Sequence, residues 1–194
     1  MYKLLERTRV MEQQRLTTEN NAKIAELELL KSQLNPHFLF NSLNSIKALV
    51  HLDPVKCKDA IVKLSEILRF TLNYGSHATI PLGDELQEVR KYLSLEQIRI
   101  GDRLTVVYHV REDSLKRSVR PALLLTLAEN AIKHGISKQS GKGVIQIRAE
   151  IADSQLMIEM TNNGELRAPK LDGGIGLRSI RARLERLYGS QATF

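Results

Sequence analysis

The sequence is poor in the residues that several common functions require. It contains no tryptophan, and aromatic residues make up 5% of its 194 positions, so a surface that stacks single-stranded nucleic-acid bases is not expected. Its single cysteine, Cys57, excludes a disulfide within the chain and a cysteine-rich zinc site, and is typical of a reducing compartment. No apolar run approaches the roughly 18 residues of a membrane span, and the first residues lack the apolar stretch of a signal peptide.

Basic residues, in contrast, are in excess. Lys and Arg total 29 and Asp and Glu total 22, which gives a formal net charge of +7 on a chain whose 42% hydrophobic residues are typical of a globular protein. This charge suits a polyphosphate ligand, nucleic acid or anionic lipid. Because the basic residues are dispersed and cluster only in the last predicted helix, we expect no direct nucleic-acid binding.

The first 77 residues predict helices only. Residues 1–34 contain neither Gly nor Pro, and their ragged heptad pattern indicates a signalling or coiled-coil helix that needs a partner, with a kink or break at Pro36. Residues 35–77 predict two helices joined at Asp53-Pro54, with Asp53 as the N-cap of the second. The second helix carries an apolar stripe of Ala60, Ile61, Leu64, Ile67, Leu68 and Leu72. Two such antiparallel hairpins make a four-helix bundle, so we expect this domain to dimerise.

Residues 78–194 predict a mixture of helices and strands. Helices are predicted at 84–100, 121–135 and 177–188, and strands at 104–110, 144–152 and 155–162. This order predicts an α/β sandwich with a mixed sheet and helices on one face. The chain as a whole is therefore expected to have an α+β fold.

One helical segment carries the chemically distinctive string LNPHFLFNSLN. Within it, His37 lies beside a helix-kinking proline and shares a helical face with Asn41. Imidazole has a useful neutral fraction near pH 7, so His37 is a candidate nucleophile toward phosphorus. A purely structural histidine is the alternative that an isolated His would favour.

A second cluster interrupts the apolar pattern of the helix predicted at 121–135. Its polar members are Glu129, Asn130, Lys133 and His134. Asn130 offers a neutral oxygen suited to a hydrated magnesium ion, and Lys133, one turn away, is placed to reach phosphate oxygens. An ordinary polar helix end before a glycine cap is the alternative.

Glycines follow the last predicted strand and precede the last helix. The segments NNG at 162–164 and GGIG at 173–176 would let backbone N–H groups approach phosphates at a helix N-terminus. No GKS or GKT follows, so this is not a Walker loop. A plain loop turn is the alternative for these glycines taken alone.

Together these segments resemble the catalytic core of the LytS/YehU-like sensor histidine kinases over residues 31–194. PHFLFNSLN resembles that family's phosphoacceptor box, LLLTLAENAIKHG its N box, and NNG with GGIGLRSIRARLERLYG its G boxes. The resemblance implies a dimeric helical-hairpin domain followed by a Bergerat-type ATP-binding domain at 78–194. It also implies ATP and Mg²⁺ as cofactors, autophosphorylation, and phosphotransfer to an aspartate of a response regulator receiver domain.

The resemblance further implies roles for individual residues. His37 is the expected phosphoacceptor, Glu129 a base, and Asn41 a residue that orients His37 or a hydrolytic water. Asn130 is the expected magnesium ligand. The expected nucleotide-binding residues are Asn130, Lys133, His134, Asn162, Gly164, Gly174 and Gly176.

Two positions depart from the family pattern. Many relatives have an aspartate that accepts the adenine amino hydrogen where this chain has Asn162, and many histidine kinases have an acid where it has Phe38. Asn162 and an early end of the chain after the YG at 188–189 leave a second function open, that of a nucleotide-binding signalling scaffold with impaired kinase activity.

The resemblance also sets expectations about the parent protein. Family members usually continue past the YG at 188–189 with further strands, so we expect an ATP-binding domain truncated at its C-terminus. A sensory or transmembrane region usually lies upstream. We therefore expect the cytoplasmic domain of an inner-membrane-anchored homodimer, which meets the membrane only through regions outside this chain.

Overall fold

The computed structural model describes residues 11–12, 36–74, 77–138, 140–164 and 175–194. Its contacts divide the chain into two units, Met1–Leu39 and Phe40–Phe194, and the second contains every strand of the described residues. Apart from residues 11–12, the predicted coiled-coil helix over 1–34 lies outside the described residues, and so does the segment that would show a kink before Pro36.

Five α-helices and five strands, with short 3-10 and π-helical turns among them, make up the regular structure of the described residues. In chain order they are α1 (Pro36–Leu52), α2 (Pro54–Tyr74), β1 (Ile80–Pro81), α3 (Leu82–Ile100), β2 (Leu104–Val110), β3 (Ser118–Val119), α4 (Leu123–Asn130), β4 (Gly143–Ala152), β5 (Gln155–Asn162) and α5 (Ile175–Tyr188). None of the helices in the described part of the chain is long and apolar enough to cross a membrane.

The turn between α1 and α2 is built by the predicted cap. The Asp53 carboxylate accepts the Lys56 backbone N–H at 3.0 Å and pairs with the Lys56 ammonium at 3.1 Å. The backbone hydrogen bond from Lys56 lowers the pKa of Asp53 below its ordinary value. The predicted N-cap is confirmed.

Helix α2 buries one face, and this face differs in part from the predicted stripe. Its buried apolar residues are Cys57, Ala60, Leu64, Ile67 and Phe70. Ile61 and Leu72, two members of the predicted stripe, are half exposed at 49% and 51%. The buried face packs against α3, which leaves Ile61 and Leu72 on the exposed side of the helix.

The main sheet has the strand order β2-β4-β5. Strand β2 is parallel to β4, with Leu104 opposite Gly143, whereas β4 is antiparallel to β5 through the two-residue turn Asp153-Ser154. Both turn residues have positive φ, which matches the right-handed twist of a hairpin. The predicted mixed sheet is confirmed.

One face of this sheet forms the core. In β4, Ile145, Ile147 and Ala149 are fully buried, while the intervening Gln146 and Arg148 are exposed. Helices α3 and α4 pack on each other and are among the most deeply buried elements. This alternation agrees with a sheet that has helices on one face. The mixed α+β fold is therefore confirmed.

Helix α4 differs from the single helix predicted at 121–135. The α-helix begins at Leu123, because Ala122 has φ 60°, a left-handed conformation that cannot belong to a right-handed helix. After Asn130 the chain widens into a π-helical turn, Ala131–Gly135, and then tightens into a 3-10 turn, Ile136–Lys138. The local apolar pattern could not predict this widening, which is frequent at functional sites.

Candidate functional site

The N-terminus of α4 is held by a side chain from another helix. The Glu85 carboxylate of α3 accepts backbone N–H groups from Ala122 at 2.9 Å, from Leu124 at 3.0 Å and from Leu125 at 3.2 Å. The first N–H groups of a helix have no partner within it, so this carboxylate satisfies three donors that would otherwise be orphaned.

Glu85 is fully buried, with 0% of its surface exposed. Burial raises its pKa from the ordinary 4.5 to about 7; the three N–H bonds oppose that change, and the nearby Glu88 carboxylate adds to it. A carboxylate in this setting titrates near neutral pH.

A second buried carboxylate on α3, Glu88, holds the lysine that joins this helix to α2. Glu88 pairs with the Lys91 ammonium at 2.6 Å, and the same ammonium pairs with Glu66 of α2 at 3.0 Å. Glu88 Oε2 is buried and has no hydrogen-bond partner among the described residues. One turn further along α3, the Lys63 ammonium of α2 donates to the Ser94 hydroxyl at 2.9 Å.

The C-terminal end of α4 carries the predicted base and metal ligand. Glu129 and Asn130 are both partly buried. Burial raises the pKa of Tyr92 of α3 well above its ordinary value, and the charges of Glu96 and Glu129 add to this change. Tyr92 therefore lies close enough to Glu129 to be affected by its charge. Asn130 Nδ2 is buried without a hydrogen-bond partner in the described part of the chain. Buried amides normally have partners, so Asn130 is a candidate to bind a ligand.

The π-helical turn presents the next predicted residues to solvent. Lys133 and His134 are exposed, and Gly135 is buried. The sequence prediction placed Lys133 one α-helical turn after Asn130. The wider turn begins directly after Asn130, so the ordinary α-helical alignment of these two side chains does not apply.

The end of β5 lies directly against this turn. Asn162 Oδ1 accepts the Gly164 backbone N–H at 2.9 Å. A Cβ atom on Gly135 would lie 2.3 Å from Asn162 Oδ1, and one on Gly164 would lie 2.4 Å from Gly135 Cα. Both glycines are therefore required by close approach of the two segments.

The neighbouring Asn163 anchors the same loop to β4. Its Oδ1 accepts the Val144 N–H at 2.7 Å, and its Nδ2 donates to the Lys142 carbonyl at 2.9 Å. These bonds extend the strand pairing beyond Asn162, and they fix the backbone that leads to Gly164.

The structure thus brings together some of the predicted site residues. Asn162 and Gly164 lie against the turn that carries Lys133 and His134. Gly176 lies in the first turn of α5, which packs beside α4, whereas Gly174 lies outside the described residues.

The two candidate residues of the phosphoacceptor string lie in α1. Asn41 is partly buried, and its backbone carbonyl accepts the Ser45 hydroxyl at 3.0 Å. His37 belongs to α1 by its backbone, and its side chain lies outside the described residues. The roles assigned to these two residues stay predictions.

The sequence interpretation missed the buried acids of α3. Glu85, Glu88 and Glu96 are all buried. A signal was present, because Glu85 falls at helical spacing with Leu82 and Val89, which belong to the apolar stripe of this helix. An acid on an apolar stripe has to find partners, and this feature could have marked it as significant.

Comparisons with known proteins point to one family. Residues 25–104 match the model of the family described as Histidine kinase. The chain is 35% identical over 183 residues to the Sensor protein LytS of Staphylococcus haemolyticus, covering 88% of this chain and 31% of that protein. It is also 35% identical over 178 residues to the Sensor histidine kinase YpdA of Escherichia coli, covering 87% of this chain and 31% of that protein.

Among solved structures, the histidine kinase domain from the blue-light activated histidine kinase of Erythrobacter litoralis matches with a TM-score of 0.42 and 18% identity, covering 82% of this chain and 80% of that one. The chain spans about a third of the length of the curated relatives named above. The family-model match over residues 25–104 and the 35% identity to sensor proteins over most of the chain support its assignment as a LytS-like histidine kinase.

Proposed function

We propose that this chain is a kinase core that autophosphorylates His37 with ATP and passes the phosphoryl group to an aspartate of a response regulator. One observation supports this most strongly. Two separate predicted nucleotide boxes, the turn at Ala131–Gly135 and the end of β5, touch through Gly135, Asn162 and Gly164. They do so next to an Asn130 amide that has no partner among the described residues.

The residues at this place fit a magnesium nucleotide. Asn130 has a buried Nδ2 without a partner among the described residues, a donor suited to a phosphate oxygen or a metal-bound water, and Lys133 is an exposed cation on the adjoining turn. A side-chain amide and a lysine are suited to a hydrated metal ion and to phosphate oxygens respectively. His134, Gly174 and Gly176 complete the proposed nucleotide-binding set. When bound, Mg²⁺ would supply neutralisation of the phosphate charge.

Asn162 is proposed to read the base without a carboxylate. Its Oδ1 already accepts the Gly164 N–H and has a second lone pair, and its Nδ2 is a donor. An amide lacks the charge of an aspartate, so its hydrogen bond to an amino hydrogen is weaker than that of a carboxylate. Adenine recognition is therefore expected to depend more on packing against Gly135 than on charge.

In the proposed reaction, an imidazole nitrogen of His37 attacks the γ-phosphorus. The new N–P bond forms as the bond from phosphorus to the leaving oxygen breaks, and ADP departs. Glu129 accepts the imidazole proton, and Asn41 orients the ring. In a second step the N–P bond breaks as a receiver aspartate oxygen bonds to phosphorus, and the ring takes a proton from solvent, which restores the neutral imidazole.

The proposed architecture follows from the same family. In this proposal the chain divides into a signalling region at 1–34, a dimerising hairpin at 35–77 and an ATP-binding domain at 78–194. Large apolar side chains on α1 and α2 support dimerisation, because Leu52 and Val55 are 81% and 80% exposed. The parent protein is proposed to be anchored in the inner membrane with this domain in the cytoplasm.

Incubation with γ-labelled ATP and Mg²⁺ tests the reaction. Wild type should acquire acid-labile, base-stable label, and His37→Gln should acquire none. His51→Gln is a matched control, because His51 is an exposed histidine of the same helix. It should label as wild type does.

The same assay separates the proposal from its alternative, a nucleotide-binding scaffold with impaired kinase activity. A scaffold would bind ATP in a titration and never label His37. Equal labelling of wild type and His37→Gln would contradict the kinase proposal outright. An Asn130→Ala variant that labels like wild type would contradict the assignment of Asn130.

A further inference from the structure

Helix α4 is short, and its start depends on α3. It has eight residues, and the candidate residues Glu129 and Asn130 are its last two. The Glu85 carboxylate takes the N–H groups of Ala122, Leu124 and Leu125 within 3.2 Å. The cap and the candidate residues are therefore separated by little more than one helical turn.

The geometry of the cap fixes a direction as well as a position. Glu85 Oε1 accepts from Leu124 and Leu125, while Oε2 accepts from Ala122. A planar carboxylate that uses both oxygens on three donors of one helix start restricts rotation and sliding of the helix over α3. The bond to Ala122 also holds that residue at φ 60°, a conformation that is uncommon without glycine.

Burial of a charged group makes this cap costly in desolvation free energy. Glu85 is 0% exposed and lies on the apolar stripe of α3, where an aliphatic residue would pack without a charge. No charged residue lies on the stretch Leu123–Ala128 of α4 that could neutralise it. Ordinary caps are supplied by a residue next to the helix itself. A cap from a buried acid 37 to 40 residues away also ties the start of the helix to α3.

We propose that Glu85 is a positioning residue of the nucleotide site, which acts through α4 to hold Glu129 and Asn130 in place. The proposal rests on the proposed function only in that α4 carries nucleotide-binding residues. Glu85 lies outside every motif identified in the sequence, and it links the site to α3.

Two measurements on the full chain test it, both made on Glu85→Gln. Gln keeps the size of the side chain but places an NH₂ group against one of the backbone donors. In the protein without nucleotide, the hydrogen-exchange rate should rise at least tenfold at the amides of both 122–125 and 129–135. The exchange rates in β4 and β5 should stay unchanged. The dissociation constant for ATP with Mg²⁺, measured where circular dichroism shows the variant fully folded, should rise at least tenfold.

Glu88→Gln is the matched control, because Glu88 is a buried carboxylate on the same helix that binds Lys91 instead of α4. It should leave both measurements within twofold of wild type. Glu85→Asp keeps the charge on a shorter side chain. Its exchange rates and its dissociation constant for ATP should lie between those of Glu85→Gln and wild type. If Glu85→Gln does not fold, Glu85→Asp carries the test, with an expected threefold or greater loss of ATP affinity.

Three results would overturn the proposal. They are faster exchange confined to 122–125 with unchanged ATP affinity, no change in exchange at all, and an equal loss of affinity in Glu88→Gln. If wild type itself does not bind ATP, the proposed function fails. The exchange at 129–135 still decides whether Glu85 positions that end of α4.

Discussion

At the scale of single residues, Gly135 and Gly164 lie where two segments of the candidate site approach each other closely. An added Cβ on Gly164 would lie 2.4 Å from backbone, the Gly135 Cα, whereas one on Gly135 would first meet a side-chain atom, Asn162 Oδ1. Backbone has less room to move than the end of a side chain. The two glycines should therefore differ in how much they tolerate a methyl group.

We predict that Gly164→Ala lowers the free energy of unfolding by about 2 kcal/mol and abolishes measurable ATP binding, because it separates the β5 end from the π-helical turn. Gly135→Ala should cost less stability but still weaken ATP binding, because it displaces Asn162. Urea melts and ATP titrations would measure both effects.

Gly141→Ala serves as the control, since an added Cβ there meets nothing within 4 Å. It should change neither quantity. If Gly164→Ala bound ATP as wild type does, the contact between the two boxes would have no role in nucleotide binding.

The residues around these glycines show what the sequence could predict at this scale. Asn162, Gly164 and the polar end of α4 lie in contiguous strings, so a local pattern was enough to select them. Glu85 was missed because its role depends on partners 37 to 40 residues away. Such a pairing exists only once α3 and α4 have packed, and no single window of sequence contains it.

At the scale of elements, the Lys91 ammonium joins α2 to α3. It lies between Glu66 of α2 and the more deeply buried Glu88 of its own helix. Burying charges carries a desolvation cost even when they pair, and removing one partner costs more, because the remaining charge is left buried without a partner.

We predict that Lys91→Met lowers the free energy of unfolding by about 3 kcal/mol, since it strands the Glu88 carboxylate. Arg111→Met is the comparison, because Arg111 pairs with Asp113 in a largely exposed bridge and should cost less than about 1 kcal/mol. Chemical denaturation followed by circular dichroism measures both. Similar costs for the two variants would show that the α2–α3 bridge contributes no more than a surface pair.

Elements with local signals were the ones that the sequence predicted well. The Asp53 cap, the strands β4 and β5 and the turn between them depend on residues close together in the chain. The start of α4 and its π-helical turn were not predicted, because both depend on contacts that are distant in the chain. Ala122 contacts Glu85, and Gly135 contacts Asn162. Periodicity predicts that a helix exists more reliably than it predicts where the helix begins or widens.

At the scale of the whole molecule, α1 and α2 expose more large apolar side chains than an isolated hairpin would keep. Besides Leu52 and Val55, they include Phe40, Leu43, Val50, Ile61, Val62 and Leu72. Periodicity could place these residues on an apolar stripe but could not say whether the same chain or a second copy covers them. The half-exposed Ile61 and Leu72 favour a second copy.

We predict that Ile61→Lys raises the dissociation constant of the homodimer at least tenfold while leaving the helix content unchanged, because Ile61 is already half exposed. Analytical ultracentrifugation over a range of concentrations measures the constant. Asn73→Lys adds the same charge at an exposed position of α2 and should have no comparable effect. A wild-type chain that stays monomeric at high concentration would contradict the proposed bundle.

The burial of Glu85 also has a consequence for proton balance. Its pKa is about 7 in the folded chain and near 4.5 when exposed, so between these values folding takes up a proton at this group. Its stabilising contribution is complete below about pH 4.5 and is lost as the pH rises through about 7. Most paired carboxylates stabilise the folded state less as the pH falls, because protonation removes their charge. Glu85 behaves in the opposite sense, so mild acidification favours the folded chain through this one residue, and folding near pH 6 draws a proton from the buffer.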